Sequence, residues 1–216
     1  MKKYKMLIFD MDGTILYTLE DLKNTTNYAL NEHGFPERTL EEVRQFVGNG
    51  IHKLIERAVP AGTSDADIEA VFTTFEIYYK DHCMDTTRPY DGINDLLTKL
   101  RAQGYMTAVV SNKVDFAVQD LVKDFFVGQF DVAIGEREGV RKKPAPDSVY
   151  EVLKEFDLKK DEVIYNGDSD VDYATAKNAG VDCILVEWGF RDRAFLESLG
   201  ATVFAKKPED ILDIVE

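Results

Sequence analysis

The stretch Phe9-Asp10-Met11-Asp12-Gly13-Thr14-Ile15-Leu16-Tyr17 decides the fold of this chain. The apolar segment Met6-Leu7-Ile8-Phe9 leads into it, and its length and flanks are typical of a buried strand. Asp10 and Asp12 are therefore expected at the C-terminal end of a strand, where Gly13 lets the chain turn. Asp-x-Asp-Gly is also common turn chemistry, but ligands of open α/β sheets bind at the carboxyl ends of strands. The position therefore predicts a functional site.

A second strand end carries a similar group of acidic residues. An apolar segment at 163–166 is followed by Gly167-Asp168-Ser169-Asp170-Val171-Asp172, and then by a helical pattern that Gly180 closes. If the two strand ends are neighbours, each pair of like charges at ~4 Å costs about 4 kcal/mol at an effective dielectric constant near 20. Raised pKa values or a bound cation would relieve that repulsion. Oxygen ligands without a His/Cys constellation favour Mg²⁺ over zinc.

Two further polar segments lie between these strand ends. A predicted strand at 105–110 leads into Ser111-Asn112-Lys113, where a hydroxyl, an amide and backbone N–H groups can cradle phosphoryl oxygens. Ser-Asn is also an ordinary helix start. Lys143 stands directly before Pro144, whose rigid backbone can hold the ammonium group as a fixed charge. We interpret Arg141 and Lys142 as solvated surface residues and assign Lys143 to the site.

With these motifs in order, the chain resembles the haloacid dehalogenase-like phosphohydrolases. Asp10-Met11-Asp12-Gly13-Thr14 is similar to the first family motif, Ser111-Asn112 to the second, Lys143 to the third and 167–172 to the fourth. The resemblance covers nearly all 216 residues and is strongest to bacterial phosphoglycolate phosphatase-like members, through 46–50, 88–93 and 188–191. Tyr17 departs from the pattern, since many relatives carry Asp or Asn there, near the hinge into a cap.

The resemblance implies a role for each matched residue. Asp10 is the expected nucleophile and forms an aspartyl-phosphate, while Asp12 exchanges protons with the leaving oxygen and with water. Mg²⁺ is expected on Asp10, Asp168 and the backbone carbonyl of Asp12. Ser111, Asn112 and Lys143 are expected to bind phosphoryl oxygens, and Asp172 to orient a metal-bound water. The substrate-reading loop of the cap is expected at Gly48-Asn49-Gly50, although a plain helix–helix turn is an equally good reading of that loop.

These motifs are compatible with several functions. A Mg²⁺-dependent phosphatase for a small phosphomonoester is the preferred hypothesis, and a β-phosphoglucomutase-type phosphomutase is the main alternative. A pyrophosphatase and a non-catalytic phosphate-binding protein are less favoured, the latter because no expected nucleophile or metal ligand is missing. A haloalkanoic acid dehalogenase needs no general acid for its halide leaving group, so Asp12 and the acidic cluster argue against it.

Composition narrows the choice of partners and compartment. The 216 residues are 44% apolar, enough for a sizeable core, and the net charge of −14 argues against nucleic acid or an anionic membrane as partner. A small phosphate ester is the expected ligand. The two cysteines form no metal or disulfide pattern, and the N-terminus shows no signal-peptide or membrane-spanning pattern, so a cytoplasmic protein is expected.

The distribution of strand and helix patterns predicts the architecture. Residues 18–87 show helical spacing, whereas strands and helices alternate after them, with strand candidates at 105–110, 130–134, 163–166, 183–187 and 202–204. This alternation indicates an α/β protein with a Rossmann-like parallel sheet core and an inserted α-helical cap. The core is predicted at 1–16 and 88–216 and the cap at 17–87. The family resemblance implies the strand order 3-2-1-4-5.

Overall fold

A computed structural model describes residues 3–216 of the chain. The strands are β1 Met6–Phe9, β2 Leu16–Tyr17, β3 Arg88–Pro89, β4 Met106–Val114, β5 Val132–Glu136, β6 Val163–Gly167, β7 Asp182–Val186 and β8 Phe204–Ala205. The helices are α1 Leu19–Glu32, α2 Leu40–Phe46, α3 Ile51–Ala58, α4 Asp65–His82, α5 Ile93–Ala102, α6 Asp115–Phe125, α7 Asp147–Glu155, α8 Asp170–Ala179, α9 Arg193–Ser198 and α10 Pro208–Val215.

Six of these strands form one parallel sheet in the order β5-β4-β1-β6-β7-β8. The predicted order 3-2-1-4-5 is confirmed for the first five core strands, and the short strand β8 adds a sixth at the edge. The predicted α/β class is likewise confirmed. Because β1 lies between β4 and β6, the chain segments that follow these three strands emerge side by side at one edge.

Both faces of the sheet are covered, which explains the unbroken apolar sequence of β1. Leu7 and Phe9 contribute to one buried cluster, and Met6 and Ile8 contribute to another. Successive side chains of a strand point to opposite faces, so a strand buried on both sides must be apolar throughout. Full burial of each such side chain stabilises the fold by roughly 1.5–3 kcal/mol. β1 is thereby fixed as the strand that carries the first acidic motif.

The end of β4 differs from the sequence-based prediction. The strand was expected to end at residue 110 with Ser111-Asn112-Lys113 in a junction, but it continues to Val114. Pairing with β5 shifts register after Val110 and resumes where Val114 pairs with Glu136. A bulge of this kind bends the strand and re-aims its side chains.

The chain divides into two compact units, and each is described by itself. One comprises the chain up to Leu16 together with Pro89–Glu216, and the other comprises Tyr17–Arg88. The second unit contains helices α1–α4, with α1 packed against α4 and the Tyr28 ring stacked on Tyr78 at 3.9 Å between centroids. Within residues 3–216, every helix is too short or too polar to cross a membrane.

A buried carboxylate near the start of this helical unit forms hydrogen bonds with residues near its end. Asp21 of α1 is 1% exposed and accepts hydrogen bonds from the N–H of Thr86 at 3.0 Å and of Thr87 at 2.8 Å. The Thr86 hydroxyl donates a further bond to Asp21 Oδ1 at 2.6 Å. Asp21 therefore supplies acceptors to a segment 65 residues further along the chain.

We expect Asp21→Ala to lower the free energy of unfolding by about 2–3 kcal/mol, because the N–H groups of Thr86 and Thr87 lose their acceptor. Asp21→Asn keeps one carbonyl oxygen and should fall between wild type and the alanine variant. Urea denaturation followed by circular dichroism measures both. The exposed Asp81 of the same unit provides the control, and Asp81→Ala should change stability by less than ~0.5 kcal/mol. Equal stability of Asp21→Ala and wild type would contradict this role.

Candidate active site

Three carboxylates converge where β1 and β6 end. Asp10 follows β1 and its N–H donates to the carbonyl of Asn166 in β6, while Asp168 follows β6 directly. One carboxylate oxygen from each of Asp10, Asp168 and Asp172 lies within 4.8 Å of the other two. The structure thus brings together the two acidic strand ends that the sequence analysis placed at one site.

The ammonium group of Lys143 lies among these carboxylates. Its Nζ is 2.8 Å from Oδ1 of Asp10, 2.8 Å from Oδ1 of Asp172 and 3.0 Å from the Tyr165 hydroxyl. The Lys143 side chain is 3% exposed. Its position in the sequence, 133 residues after Asp10, gave no indication of either distance. One buried cation therefore partly balances the negative charge of the cluster.

The four charged groups differ in the direction of their pKa shifts. Burial and the charge of Asp172 raise the pKa of Asp10 to about 7, against the opposing effect of Lys143. Burial, with Asp172 and Asp10 nearby, also raises the pKa of Asp168 above its usual range. Burial would raise the pKa of Asp172 too, but Lys143 and hydrogen bonds lower it. Burial opposes the charged form of Lys143, yet both carboxylates raise its pKa well above the usual value.

Protein donors surround Asp172. Besides Lys143 on Oδ1, Oδ2 accepts from the N–H of Asp168 at 3.2 Å, the N–H of Ser169 at 3.1 Å and the Ser169 hydroxyl at 2.6 Å. The reciprocal bond from the Asp172 N–H to the Ser169 hydroxyl caps α8. Asp172 is fully buried, so these donors hold its carboxylate in one orientation.

Asp168 is confined by two neighbouring loops. Its Oδ2 accepts from the N–H of Phe190 at 2.6 Å, and its Oδ1 accepts from the Thr14 hydroxyl at 3.3 Å. A Cβ at Gly189 would lie 2.2 Å from the Cβ of Asp168, and one at Gly13 would lie 2.4 Å from Oδ2. Both positions therefore require glycine. The sequence analysis quoted 188–191 as part of the resemblance but gave the loop no role.

Asn112 of the second motif contacts the backbone of Lys143, the residue of the third motif. The Asn112 side-chain amide donates to the carbonyl of Lys143 at 3.0 Å, and its Oδ1 accepts from the N–H of Lys143 at 2.8 Å. The Asn112 side chain, expected on phosphoryl oxygens, thus holds the backbone of Lys143 here. Ser111 is buried, and its hydroxyl accepts from the N–H of Lys113 at 3.3 Å.

Lys113 is a site residue that the sequence analysis did not select. Its Nζ lies 3.0 Å from Oδ1 and 3.4 Å from Oδ2 of Asp12. The Lys113 side chain is 1% exposed, whereas that of Asp12 is 17% exposed. The sequence offered one indication of this role, because Lys113 directly follows Ser111-Asn112. A predicted strand end at residue 110 placed Lys113 in a loop, so it was not selected.

The residues predicted for a substrate-reading loop lie in the helical unit. Gly48 and Gly50, with φ of 121° and 85°, flank Asn49 between α2 and α3. Asn49 Oδ1 accepts from the Arg57 guanidinium at 2.9 Å. At Tyr17, the residue that departs from the family pattern, the Arg88 guanidinium lies 4.6 Å from the ring centroid.

Comparison with known proteins gives consistent matches. Residues 7–186 match the haloacid dehalogenase-like hydrolase family. A phosphoglycolate phosphatase of Pseudomonas putida is 31% identical, over 97% of this chain and 76% of its own length. An N-acetylmuramic acid 6-phosphate phosphatase of Pseudomonas aeruginosa is 27% identical, over 99% of this chain and 96% of its own.

The fold also matches a solved structure closely. A crystal structure from Lactobacillus delbrueckii subsp. bulgaricus, for which phosphoglycolate phosphatase activity has been proposed, superposes with a TM-score of 0.95. It is 39% identical, and the alignment covers 100% of this chain and 99% of the other. The family match across most of the chain and the similar relatives lead to one conclusion: this protein belongs to the haloacid dehalogenase-like hydrolase family.

Proposed function

We propose that the protein is a Mg²⁺-dependent phosphatase that hydrolyses a small phosphomonoester of the phosphoglycolate type through an aspartyl-phosphate on Asp10. The observation that carries the proposal is the cluster of Asp10, Asp168 and Asp172 within 4.8 Å, with Lys143 at 2.8 Å from Asp10. The two named relatives act on different phosphomonoesters, so we assign the substrate class and test phosphoglycolate first.

The donor set fits Mg²⁺. Burial and the neighbouring carboxylates raise the pKa values of Asp10 and Asp168, so a divalent cation would stabilise the ionised form of both. These two carboxylates and the backbone carbonyl of Asp12 would hold the ion. Asp172 already accepts from Lys143 and Ser169, which favours Asp10 and Asp168 as the direct ligands and leaves Asp172 the proposed role of orienting a water bound to the ion. When bound, Mg²⁺ would offset the repulsion between Asp10 and the phosphoryl dianion.

The first chemical step transfers the phosphoryl group to Asp10. The N–H of Met11 and the ammonium of Lys143 both contact Asp10 Oδ1, which fixes the orientation of the carboxylate. A carboxylate oxygen of Asp10 attacks phosphorus, the ester P–O bond breaks, and the proton of Asp12 passes to the leaving oxygen. Lys143, Ser111 and the backbone N–H of Asn112 would bind the phosphoryl oxygens, and the Asn112 side-chain amide keeps the Lys143 backbone in place.

The second step releases phosphate. Asp12, now ionised, accepts a proton from a water molecule as that water attacks the phosphorus of the aspartyl-phosphate. The bond between the Asp10 oxygen and phosphorus breaks, which regenerates the carboxylate, and Asp12 retains the proton that it took from water. The Asp12 side chain thus donates a proton in the first step and accepts one in the second.

We assign substrate selection to the helical unit Tyr17–Arg88 as a cap, with Gly48-Asn49-Gly50 as its reading loop. The unit interrupts the chain just after Asp10 and Asp12, a position suited to an element that selects what reaches them. The bond from Arg57 to Asn49 holds the loop, and the two glycines leave its backbone approachable.

A substrate screen tests the overall proposal. The purified protein should release phosphate from 2-phosphoglycolate or a related small ester with Mg²⁺ present, and EDTA should abolish turnover until Mg²⁺ is restored. The panel includes N-acetylmuramic acid 6-phosphate, pyrophosphate and sugar phosphates. Full turnover in excess chelator would overturn the metal assignment. Interconversion of sugar phosphates primed by a bisphosphate, with little phosphate released, would identify a phosphomutase instead.

Phosphoenzyme trapping tests the roles of the two motif aspartates. Asp10→Asn should leave essentially no turnover, whereas Asp12→Asn should lower kcat by ~10²–10⁴-fold, since proton exchange is lost. p-Nitrophenyl phosphate needs no proton on its leaving oxygen, so with Asp12→Asn the phosphoryl group should accumulate on Asp10. Peptide mass spectrometry after rapid quenching locates the modification. Phosphorylation of another residue, or normal turnover by Asp10→Asn, would contradict the assignment.

The glycine at 189 offers a test of how Asp168 is held. Gly189→Ala should weaken Mg²⁺ binding ~10–100-fold by titration calorimetry, because the new Cβ would displace Asp168. Gly104→Ala is the matched control, since its Cβ would meet nothing within 4 Å. The positive φ of Gly104 means that this control costs stability without touching Asp168. Unchanged Mg²⁺ affinity in Gly189→Ala would show that the loop does not position the carboxylate.

A further inference from the structure

The site contains a second buried lysine, Lys113, to which the proposed reaction assigns no role. Lys113 near the end of β4 is as enclosed as Lys143, with 1% and 3% of the two side chains exposed. Burial of an ammonium group is costly unless a partner compensates its charge. For Lys113 that partner is Asp12, at 3.0 Å from its Nζ. The two lysines therefore contact different carboxylates of the first motif.

The contact is asymmetric between the oxygens of Asp12. Oδ1 lies at hydrogen-bonding distance from Nζ, at 3.0 Å, whereas Oδ2 lies further away, at 3.4 Å. An ammonium group has only donors, so it can hold one carboxyl oxygen whether or not the other carries a proton. A carboxyl group held in this way keeps its orientation in both protonation states.

We propose that Lys113 is a positioning residue for Asp12, holding Oδ1 so that Oδ2 exchanges the proton in both steps of the reaction. The inference rests on the proposed function. In the first step the proton moves from Oδ2 to the leaving oxygen as the ester P–O bond breaks, and in the second it returns from water. Lys113 keeps its own protons throughout, and so neither gains nor loses charge.

The extension of β4 makes this arrangement possible. The strand pairs with β1 and continues past residue 110, which carries Lys113 along the sheet toward the segment after β1 where Asp12 lies. The Lys113 N–H also donates to the Ser111 hydroxyl at 3.3 Å, which links the lysine to the phosphoryl-binding motif. A turn directly after Val110 would not place an ammonium group there.

Leaving-group dependence provides the test, because a general acid matters for a poor leaving group and little for a good one. We would measure kcat/KM, which reports phosphoryl transfer to the enzyme, with 2-phosphoglycolate (or the best alkyl ester of the screen) and 2,4-dinitrophenyl phosphate. Lys113→Met keeps most of the length of the side chain, one heavy atom fewer, but removes its charge. It should lose ~10²-fold or more on the alkyl ester and less than about five-fold on the activated ester.

Two further variants sharpen the comparison. Lys113→Arg retains a cation and should recover part of the loss on the alkyl ester. Lys123→Met, at an exposed position of α6, should leave both substrates unaffected. A near-normal kcat/KM for the activated ester with Lys113→Met also shows that the variant is folded and its phosphoryl site intact.

The outcomes separate this inference from the proposed function. Equal losses on both esters would mean that Lys113 serves the phosphoryl group or the fold, and no loss would mean that Asp12 needs no anchor; either result overturns the inference alone. If the wild-type enzyme hydrolyses neither ester and forms no phosphoenzyme on Asp10, the proposed function fails and the role of Lys113 fails with it.

Discussion

The contact of Lys143 with Asp10 and Asp172 is the interaction on which the rest of the site depends. Three buried carboxylates within 4.8 Å would repel one another strongly, and one ammonium at 2.8 Å from two of them limits that cost. The compensation is partial, because one ammonium group faces three carboxylates. The fold thus holds a site with residual negative charge, which is the electrostatic condition for binding a divalent cation.

The surrounding contacts serve to keep this charged group rigid. The Asn112 amide makes a reciprocal pair of bonds with the backbone of Lys143, so the lysine is fixed at its main chain as well as at its ammonium. Asp168 is held by the N–H of Phe190 and enclosed by Gly13 and Gly189. Electrostatic catalysis requires charges that do not reorient during the reaction, and these neighbours provide that constraint.

Much of the fold could be predicted from local patterns, and much of the site could not. The apolar run of β1 and the alternation after residue 88 were sufficient for the α/β class, and the family resemblance supplied the strand order. The bond between Asn112 and Lys143 and that between Phe190 and Asp168 join residues 31 and 22 positions apart. Such pairings depend on which loops the sheet brings together, and no spacing in the sequence encodes them.

The extent of β4 shows how a small error in a boundary conceals a functional residue. If the strand is taken to end at its last apolar residue, Val110, then Lys113 falls in a loop, where a lysine is usually exposed to solvent. Continuation of the strand past the bulge buries it instead against Asp12. Hydrophobic periodicity detects the part of a strand that lies in the core, but the polar end of the strand is the part that faces ligands. The boundary that sequence patterns define least well is therefore the one that carries the chemistry.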